Sequence, residues 1–264
     1  MVLVTGAGSG IGRATALLFA KHGARVHVVD KDGALALQTA ADIASAGGKA
    51  ESHAVDVSDA AAVEALAQTV LASSGRVDVL VNNAGVCVGG KVERIDLADW
   101  RLAIDVNLFG TVHGVRSFAP AMIAAHSGHI VNVASVAGLL GFPLIAPYVA
   151  SKFALVGLSE SMNAELEPLG VRVTTVCPGM VRTNVLGSGK VGLPPEWHEA
   201  LTRLMARHAA SPERIARDIL GSVGRRRGIV VRAGLMRPLL VVKRLSIGLY
   251  QALARSVTRR FLGP

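Results

Sequence analysis

Short apolar runs alternate with stretches of helical spacing from the second residue onward. Val2–Thr5 is an apolar run, and Ile11, Ala14 and Leu18 then recur at helical spacing over Ile11–His22. Arg25–Asp30 reads as a second strand that ends on an acid. Ala34–Ala46 predicts a helix, Ala50–Val55 a third strand, Ala60–Ala72 a helix and Val77–Asn82 a fourth strand. Trp100–Ala125 predicts one or two helices and His129–Ala134 a fifth strand. Tyr148–Leu166 predicts a helix stopped by Pro168 and Gly170, followed by a sixth strand over Val171–Cys177. Pro195–His208 and Pro212–Val223 read as helices and Gly228–Val231 as the last strand. Strands that alternate with helices imply βαβ units, and near-continuous apolar strands imply a sheet buried on both faces. The expected fold is α/β: one doubly wound, mostly parallel sheet of about seven strands over residues 1–233, with a C-terminal extension over 234–264.

Composition supports a packed core. Of 264 residues, 51% are hydrophobic and 18% charged, which excludes a largely disordered chain. The net charge of +9 is local: residues 225–264 hold ten Lys+Arg and no acid, whereas residues 1–224 hold 18 Lys+Arg against 19 Asp+Glu. A near-neutral body with 4% aromatic residues argues against nucleic-acid binding. Two cysteines, Cys87 and Cys177, make a disulfide framework implausible and fit a reducing compartment. Residues 117–151 lack Asp, Glu, Lys and Arg, but Pro120, Gly128, Asn132, Pro143 and Pro147 interrupt them, so they read as a buried strand with its flanks. Met1 leads straight into the first strand with no basic secretory n-region, and the cytoplasm is the expected location.

Thr5-Gly6-Ala7-Gly8-Ser9-Gly10-Ile11-Gly12 joins the first strand to the first helix. A glycine turn at a helix N-terminus offers N–H groups and the positive dipole end to a pyrophosphate. The spacing is G-x-x-x-G-x-G at Gly6, Gly10 and Gly12. Asp30, 18 residues after Gly12, can accept hydrogen bonds from the adenosine ribose and repel a 2′-phosphate, which favours NAD over NADP. Ser9 points the same way, because a basic residue there would have gripped the phosphate. Lys31 beside Asp30 is the feature that favours NADPH. Gly189-Lys190 lacks the following Ser or Thr of an ATP-binding P-loop.

Tyr148 and Lys152 lie four residues apart on a helix face. An ordinary tyrosine pKa near ~10 is too high for a base at neutral pH, and a neighbouring cation is expected to lower it. So tuned, Tyr148 exchanges a proton with an alcohol or carbonyl as hydride moves. Ser135 follows the fifth strand at the carboxyl edge, where open α/β sheets bind ligands, and its hydroxyl can orient a substrate oxygen.

With the glycine loop at 5–12, Asn82-Asn83-Ala84-Gly85, Asn107, Ser135, Tyr148/Lys152 and Pro178-Gly179 in this order and spacing, the sequence resembles the short-chain dehydrogenase/reductase family over roughly residues 1–184. The resemblance implies a Rossmann fold and NAD(P)-linked oxidation or reduction of an alcohol/carbonyl pair. It implies that Tyr148 is the general acid/base, that Lys152 lowers its pKa and binds the nicotinamide ribose, that Ser135 holds the substrate oxygen and that Asn107 positions a relay water. It also implies that Gly6, Ser9, Gly10, Ile11 and Gly12 cradle the cofactor and that Asp30 meets the ribose. Asp56 and Val57 would meet the adenine, and Asn83, Ala84 and Gly85 would line the cleft. Pro178, Gly179, Val181 and Thr183 would flank the nicotinamide. A bracing role for Asn83 and a strand-ending role for Pro178-Gly179 remain open beside these. Family members usually carry several residues ahead of the first strand, whereas here it starts at Met1: either this strand is short or the start lies further upstream. A homodimer or homotetramer through helices near 107–125 and 148–166 is also implied.

Apart from this resemblance, the eight histidines are scattered, with no zinc-site spacing, and read as surface residues. Glu165 and Glu167 read as solvated. Residues 185–210 offer Val185, Leu186, Val191, Leu193, Trp197, Leu201, Leu204 and Met205, an apolar lid that suggests a small hydrophobic alcohol or ketone substrate. Over 236–264, Leu245, Leu249, Leu253, Val257 and Phe261 fall near one helical stripe, and Arg244, Gln251, Arg255 and Arg259 fall on the other side. This amphipathic basic helix either docks on protein or makes peripheral contact with an anionic membrane. The alternatives to an NAD-linked dehydrogenase are an NADPH-dependent ketoreductase and a nucleotide-sensing protein without turnover.

Overall fold

The computed structural model describes all residues except 184–188, 191, 193–194, 224, 226–227 and 263–264. The strands are β1 (Val2–Thr5), β2 (Arg25–Asp30), β3 (Lys49–Ala54), β4 (Val79–Asn82), β5 (Gly128–Val133), β6 (Val171–Pro178) and β7 (Ile229–Arg232). The helices are α1 (Gly10–Lys21), α2 (Gly33–Ser45), α3 (Ala60–Ser74), α4 (Leu97–Ile104), α5 (Gly110–Ala124), α6 (Ala146–Leu166), α7 (Pro195–His208), α8 (Pro212–Ser222), α9 (Arg237–Leu245) and α10 (Ile247–Leu262). All seven strands pair in parallel, in the order β3-β2-β1-β4-β5-β6-β7.

Strand alternation divides the core into two layers. Val2 and Val4 of β1, with Val26, Val28, Val79, Val81, Val131 and Val133, meet α1, α2 and α8 through residues such as Phe19, Ile43 and Ile219. Leu3, Val29, Leu80, Ile130 and Val173 face the other way, onto Val70 of α3, Phe118 and Met122 of α5 and Met162 of α6. The order reverses between β1 and β4, which opens a crevice at their carboxyl ends.

Two predicted elements are subdivided. The stretch expected as one or two helices over Trp100–Ala125 is α4 and α5 joined by a π turn at Asp105–Phe109. The single basic helix expected over 236–264 is two helices broken at Ser246, whose extended backbone interrupts the helical path and whose Oγ accepts from the Leu249 N–H (3.2 Å). The predicted lid residues Val185, Leu186, Val191 and Leu193 lie outside the described residues, as do the side chains of Trp197, Leu201, Val257 and Phe261. Leu204 is exposed and Met205 half-buried. Among the described residues, no helix is long and apolar enough to cross a membrane.

Candidate active site

The glycine loop closes over the carboxyl end of β1. Gly6 has φ +61°, and a Cβ there would lie 2.8 Å from Ala84 Cα, so a side chain is excluded by both backbone and space. A Cβ on Gly12 would sit 2.0 Å from the Gly6 carbonyl oxygen; its absence lets α1 seat directly on the loop. The start of α1 differs from those of its neighbours. Asp32 caps α2 by accepting from Ala34 and Leu35 N–H (3.0 and 3.1 Å), and Asp59 caps α3 likewise from Ala61 and Ala62 (2.9 and 3.1 Å). Ser9 makes no such bond at the N-cap of α1, and the first turn holds no acid. The N–H groups that face the crevice are thus left for an anion.

The acid at the end of β2 is fixed. Asp30 Oδ2 accepts from Gly8 N–H (2.9 Å) and Oδ1 from Asp32 N–H (3.0 Å), tying the carboxylate to the loop. Asp56 accepts from Ser58 N–H and Oγ (2.9 and 2.7 Å). Burial pushes its carboxyl upward, but the Ser58 hydrogen bonds and the Lys31 charge hold it below the usual value. Asn83 braces the crevice: its Nδ2 donates to the Thr5 and Gly6 carbonyls (2.9 and 3.2 Å), and Thr5 Oγ1 accepts from Asn83 and Ala84 N–H (3.0 and 3.1 Å). The structural role left open for Asn83 is therefore present, alongside its position on the cleft wall. Pro178 likewise both ends β6 and lines the cleft.

On the other wall, Ser135 stands at the end of the segment leaving β5 and accepts from Ala137 N–H (3.0 Å). Lys152 is buried, and its Nζ donates to the Val133 carbonyl (2.9 Å) and lies 5.8 Å from the centre of the Tyr148 ring. Burial pushes the Tyr148 phenol up to about 12, with the Ser135 hydrogen bond pulling the other way, and pushes Lys152 down to about 8. The expected lowering of Tyr148 is thus not realised in the protein alone: desolvation of the phenolate outweighs the Ser135 hydrogen bond, and the nearby Cys87 and Cys177 thiols push the same way as burial. Cys87 and Cys177 are pushed up to about 11 and 12 by burial, which keeps both thiols protonated and non-nucleophilic.

Gly6, Ser9, Gly10, Ile11, Asp30, Asp56, Val57, Asn83, Ala84, Gly85, Ser135, Tyr148, Lys152, Pro178, Gly179, Val181 and Thr183 all line one cleft of about 460 Å³. Gly12 and Asn107 do not. Gly12 is buried against Gly6, and Asn107 is spent beneath the cleft. Asn107 Oδ1 accepts from Val86 N–H (2.8 Å), while its Nδ2 donates to the Val86 carbonyl (3.0 Å) and to Ser151 Oγ (2.9 Å). Ser151 Oγ in turn donates to the Tyr148 carbonyl (2.8 Å), so the Asn107 side-chain amide ties the segment after β4 to α6. Sequence reasoning did not assign Asp32, Leu35, Val55, Val86, Leu102, Val106, Val133 and Ala134 to the cleft. The strand-end rule reaches Val55, Val133 and Ala134; Leu102 and Val106 carry no local signal.

The histidines are also less scattered than their spacing implies. His27 and His129 are buried in the sheet, contrary to the surface reading, because both lie on strands covered by helices. His27 Nδ1 lies 3.0 Å from His53 Nε2 and 3.8 Å from Glu51 Oε2, and its Nε2 lies 3.2 Å from Ser74 Oγ. This group sits across β2 and β3, and none of its members lines the cleft.

The short chain dehydrogenase family profile matches residues 1–190. A Mycobacterium tuberculosis protein named "Probable oxidoreductase EphD" is 38% identical over 87% of this chain, which spans only 40% of that relative's length. A short-chain dehydrogenase/reductase from Burkholderia phymatum, solved in complex with NAD, superposes with a TM-score of 0.85 at 32% identity, covering 94% of each chain. A metagenomic short-chain oxidoreductase solved in complex with NADP gives 0.74 at 38% identity, covering 88% of this chain and 96% of its own. With a parallel sheet in this order and a nucleotide-sized crevice at its switch point, the chain belongs to the short-chain dehydrogenase family of NAD(P)-linked oxidoreductases.

Proposed function

We propose that the protein interconverts a hydrophobic secondary alcohol and its ketone with NAD(H). The observation that carries this reading is the convergence of Ser135, Tyr148 and Lys152 on the wall of the cleft whose opposite side holds Asp30 and the glycine loop. Bound NAD supplies the hydride acceptor and a positively charged ring near the phenol. Ser135 Oγ orients the substrate oxygen, and Tyr148 takes its proton during oxidation or returns it during reduction. Lys152, anchored to the Val133 carbonyl, keeps a cation behind the phenol and within reach of a ribose hydroxyl. Asn107 acts through Ser151 on the first turns of α6 and so positions Tyr148. The α1 N-terminus takes the pyrophosphate.

Asp30 supports NAD: its carboxylate is held at the ribose end of the crevice, where a 2′-phosphate would meet a fixed negative charge. A second reading, an NADPH-dependent ketoreductase, is favoured by Lys31, which lines the same end. Assembly as a homodimer or homotetramer fits Phe109, exposed at the start of α5. A cytoplasmic site fits two buried free thiols.

The test is NAD-linked oxidation of a panel of hydrophobic secondary alcohols, with Tyr148→Phe beside the wild type. Turnover that falls ~10²-fold or more in the variant, with NADH binding retained, supports the reading. Turnover that survives the substitution overturns it.

A further inference from the structure

We infer that the outward face of the α9–α10 pair is a docking surface for anionic phospholipid, and that it holds the substrate side of the cleft against the bilayer. Its bearing on substrate supply rests on the function proposed above; the docking itself does not.

The pair has two apolar faces, and the fold uses one. Tyr250 is buried and its hydroxyl donates to the Gly141 carbonyl (2.6 Å), while Lys243 Nζ donates to the Leu139 carbonyl (2.7 Å) and lies over the Phe153 ring at 4.6 Å. Around these bonds, Met236, Leu239, Leu240 and Val242 pack on Val136 and Leu140. The extension is therefore clasped, at Leu139 and Gly141, to the loop that begins at Ser135.

The second face has no cover among the described residues. Leu235, Val241, Leu245, Ile247, Leu249 and Leu253 are 43–82% exposed, with Leu245 the most exposed large hydrophobic residue described. Among the described residues, the first 234 expose ten large hydrophobics and the 19 from Leu235 to Leu253 expose six. Arg237, Arg244, Arg255 and Arg259 are exposed on the same two helices. No acid occurs from residue 225 to the end.

Charge selects the occupant. A second copy meeting this face through a two-fold axis would set an acid-free, cationic surface against itself. A bilayer with acidic headgroups answers both features, since apolar side chains enter the acyl boundary while arginines remain at the phosphates, each adding attraction near the surface. Neither helix is long and apolar enough to span, so the pair lies in the interface plane. Docked so, the helix pair lies between the lipid and the 139–143 loop that it clasps, which brings the cleft close to a bilayer holding a water-poor alcohol.

Point substitutions test this better than truncation, because removing α9 and α10 would uncover Val136 and Leu140 beside Ser135. The full-length protein is sedimented with vesicles of phosphatidylcholine alone and with vesicles containing phosphatidylglycerol. Two variants are run beside it: Leu245→Ser/Leu249→Ser/Leu253→Ser, and Arg244→Gln/Arg255→Gln/Arg259→Gln. Light scattering gives the oligomeric state, and oxidation of a water-soluble alcohol gives the basal activity. The wild type is expected to bind the acidic vesicles at least tenfold more tightly than the neutral ones. Both variants are expected to lose at least tenfold of that affinity, with melting temperature, oligomeric state and basal activity unchanged. No retention on acidic vesicles, or equal retention of wild type and variants, overturns the inference. A leucine variant that changes oligomeric state in the absence of wild-type vesicle binding also overturns it and assigns the face to a second copy. Absence of alcohol oxidation in a wild type that binds vesicles counts against the proposed function and leaves the docking surface standing.

Discussion

A few atoms decide the proposed chemistry. Tyr148 is pushed up to about 12 by its own burial, so the protein alone favours the phenol. Reduction uses that proton directly, whereas oxidation needs the phenolate. Alcohol oxidation is therefore expected to rise with pH through the neutral range while ketone reduction stays nearly level, as initial rates in the two directions between pH 6 and 8 would show. Asp30 bears on cofactor choice. Asp30→Ala removes two backbone-anchored acceptors and one charge from the ribose end, and the kcat/KM preference for NAD over NADP is expected to drop roughly 10- to 100-fold, the equivalent of one charged hydrogen bond. An unchanged ratio would remove Asp30 from the discrimination. The identities of these residues were legible in the chain, because each stands at a strand end or at helical spacing. Their electrostatic state was not. A sequence shows that Lys152 is near Tyr148, but not that the phenol is desolvated more strongly than the Ser135 hydrogen bond compensates.

Helix starts show how elements divide labour. α2 and α3 are capped by aspartates, whereas α1, which faces the crevice, is not capped by a side chain. Asp32→Ala and Asp59→Ala are each expected to cost about 1 kcal/mol in urea unfolding, and Ser9→Ala only a few tenths. A comparable loss at Ser9 would mean that α1 is capped like the others and less open to an anion. Most element boundaries were readable to within a residue or two, since the apolar runs and their breakers are sharp. The π turn at Asp105–Phe109 was not, because it continues helical spacing without a Gly or Pro signal. It places Asn107 under the cleft, where its amide joins Val86 to Ser151. The break at Ser246 was missed for a similar reason: the hydrophobic stripe runs across it with no strong breaker.

For the whole molecule, burial within the parallel sheet sets a pH limit on stability. His27 and His129 are held down to about 4, chiefly by burial. Folding therefore favours their neutral forms. That contribution is complete above the unfolded value near ~6.5 and is lost as pH falls toward the folded value, on the order of 2 kcal/mol from each at pH 5. Chemical unfolding at pH 7 and pH 5 is expected to show this fall, and His129→Gln to reduce it; a stability flat across that range would show that neither histidine is neutral by virtue of the fold. The α/β alternation, the parallel sheet, the glycine loop, the acid at the end of the second strand and the Ser, Tyr and Lys of the proposed site could all be read from the order of residues, because they follow from local periodicity and short spacings. It took the folded chain to show which of those residues share the cleft, that Gly12 and Asn107 support it from beneath, that histidines far apart in the chain meet across β2 and β3, and that the basic extension turns one apolar face inward and the other outward. Those outcomes depend on contacts between segments distant in sequence and on the solvent they exclude, and neither distance nor desolvation is written in the order of the residues.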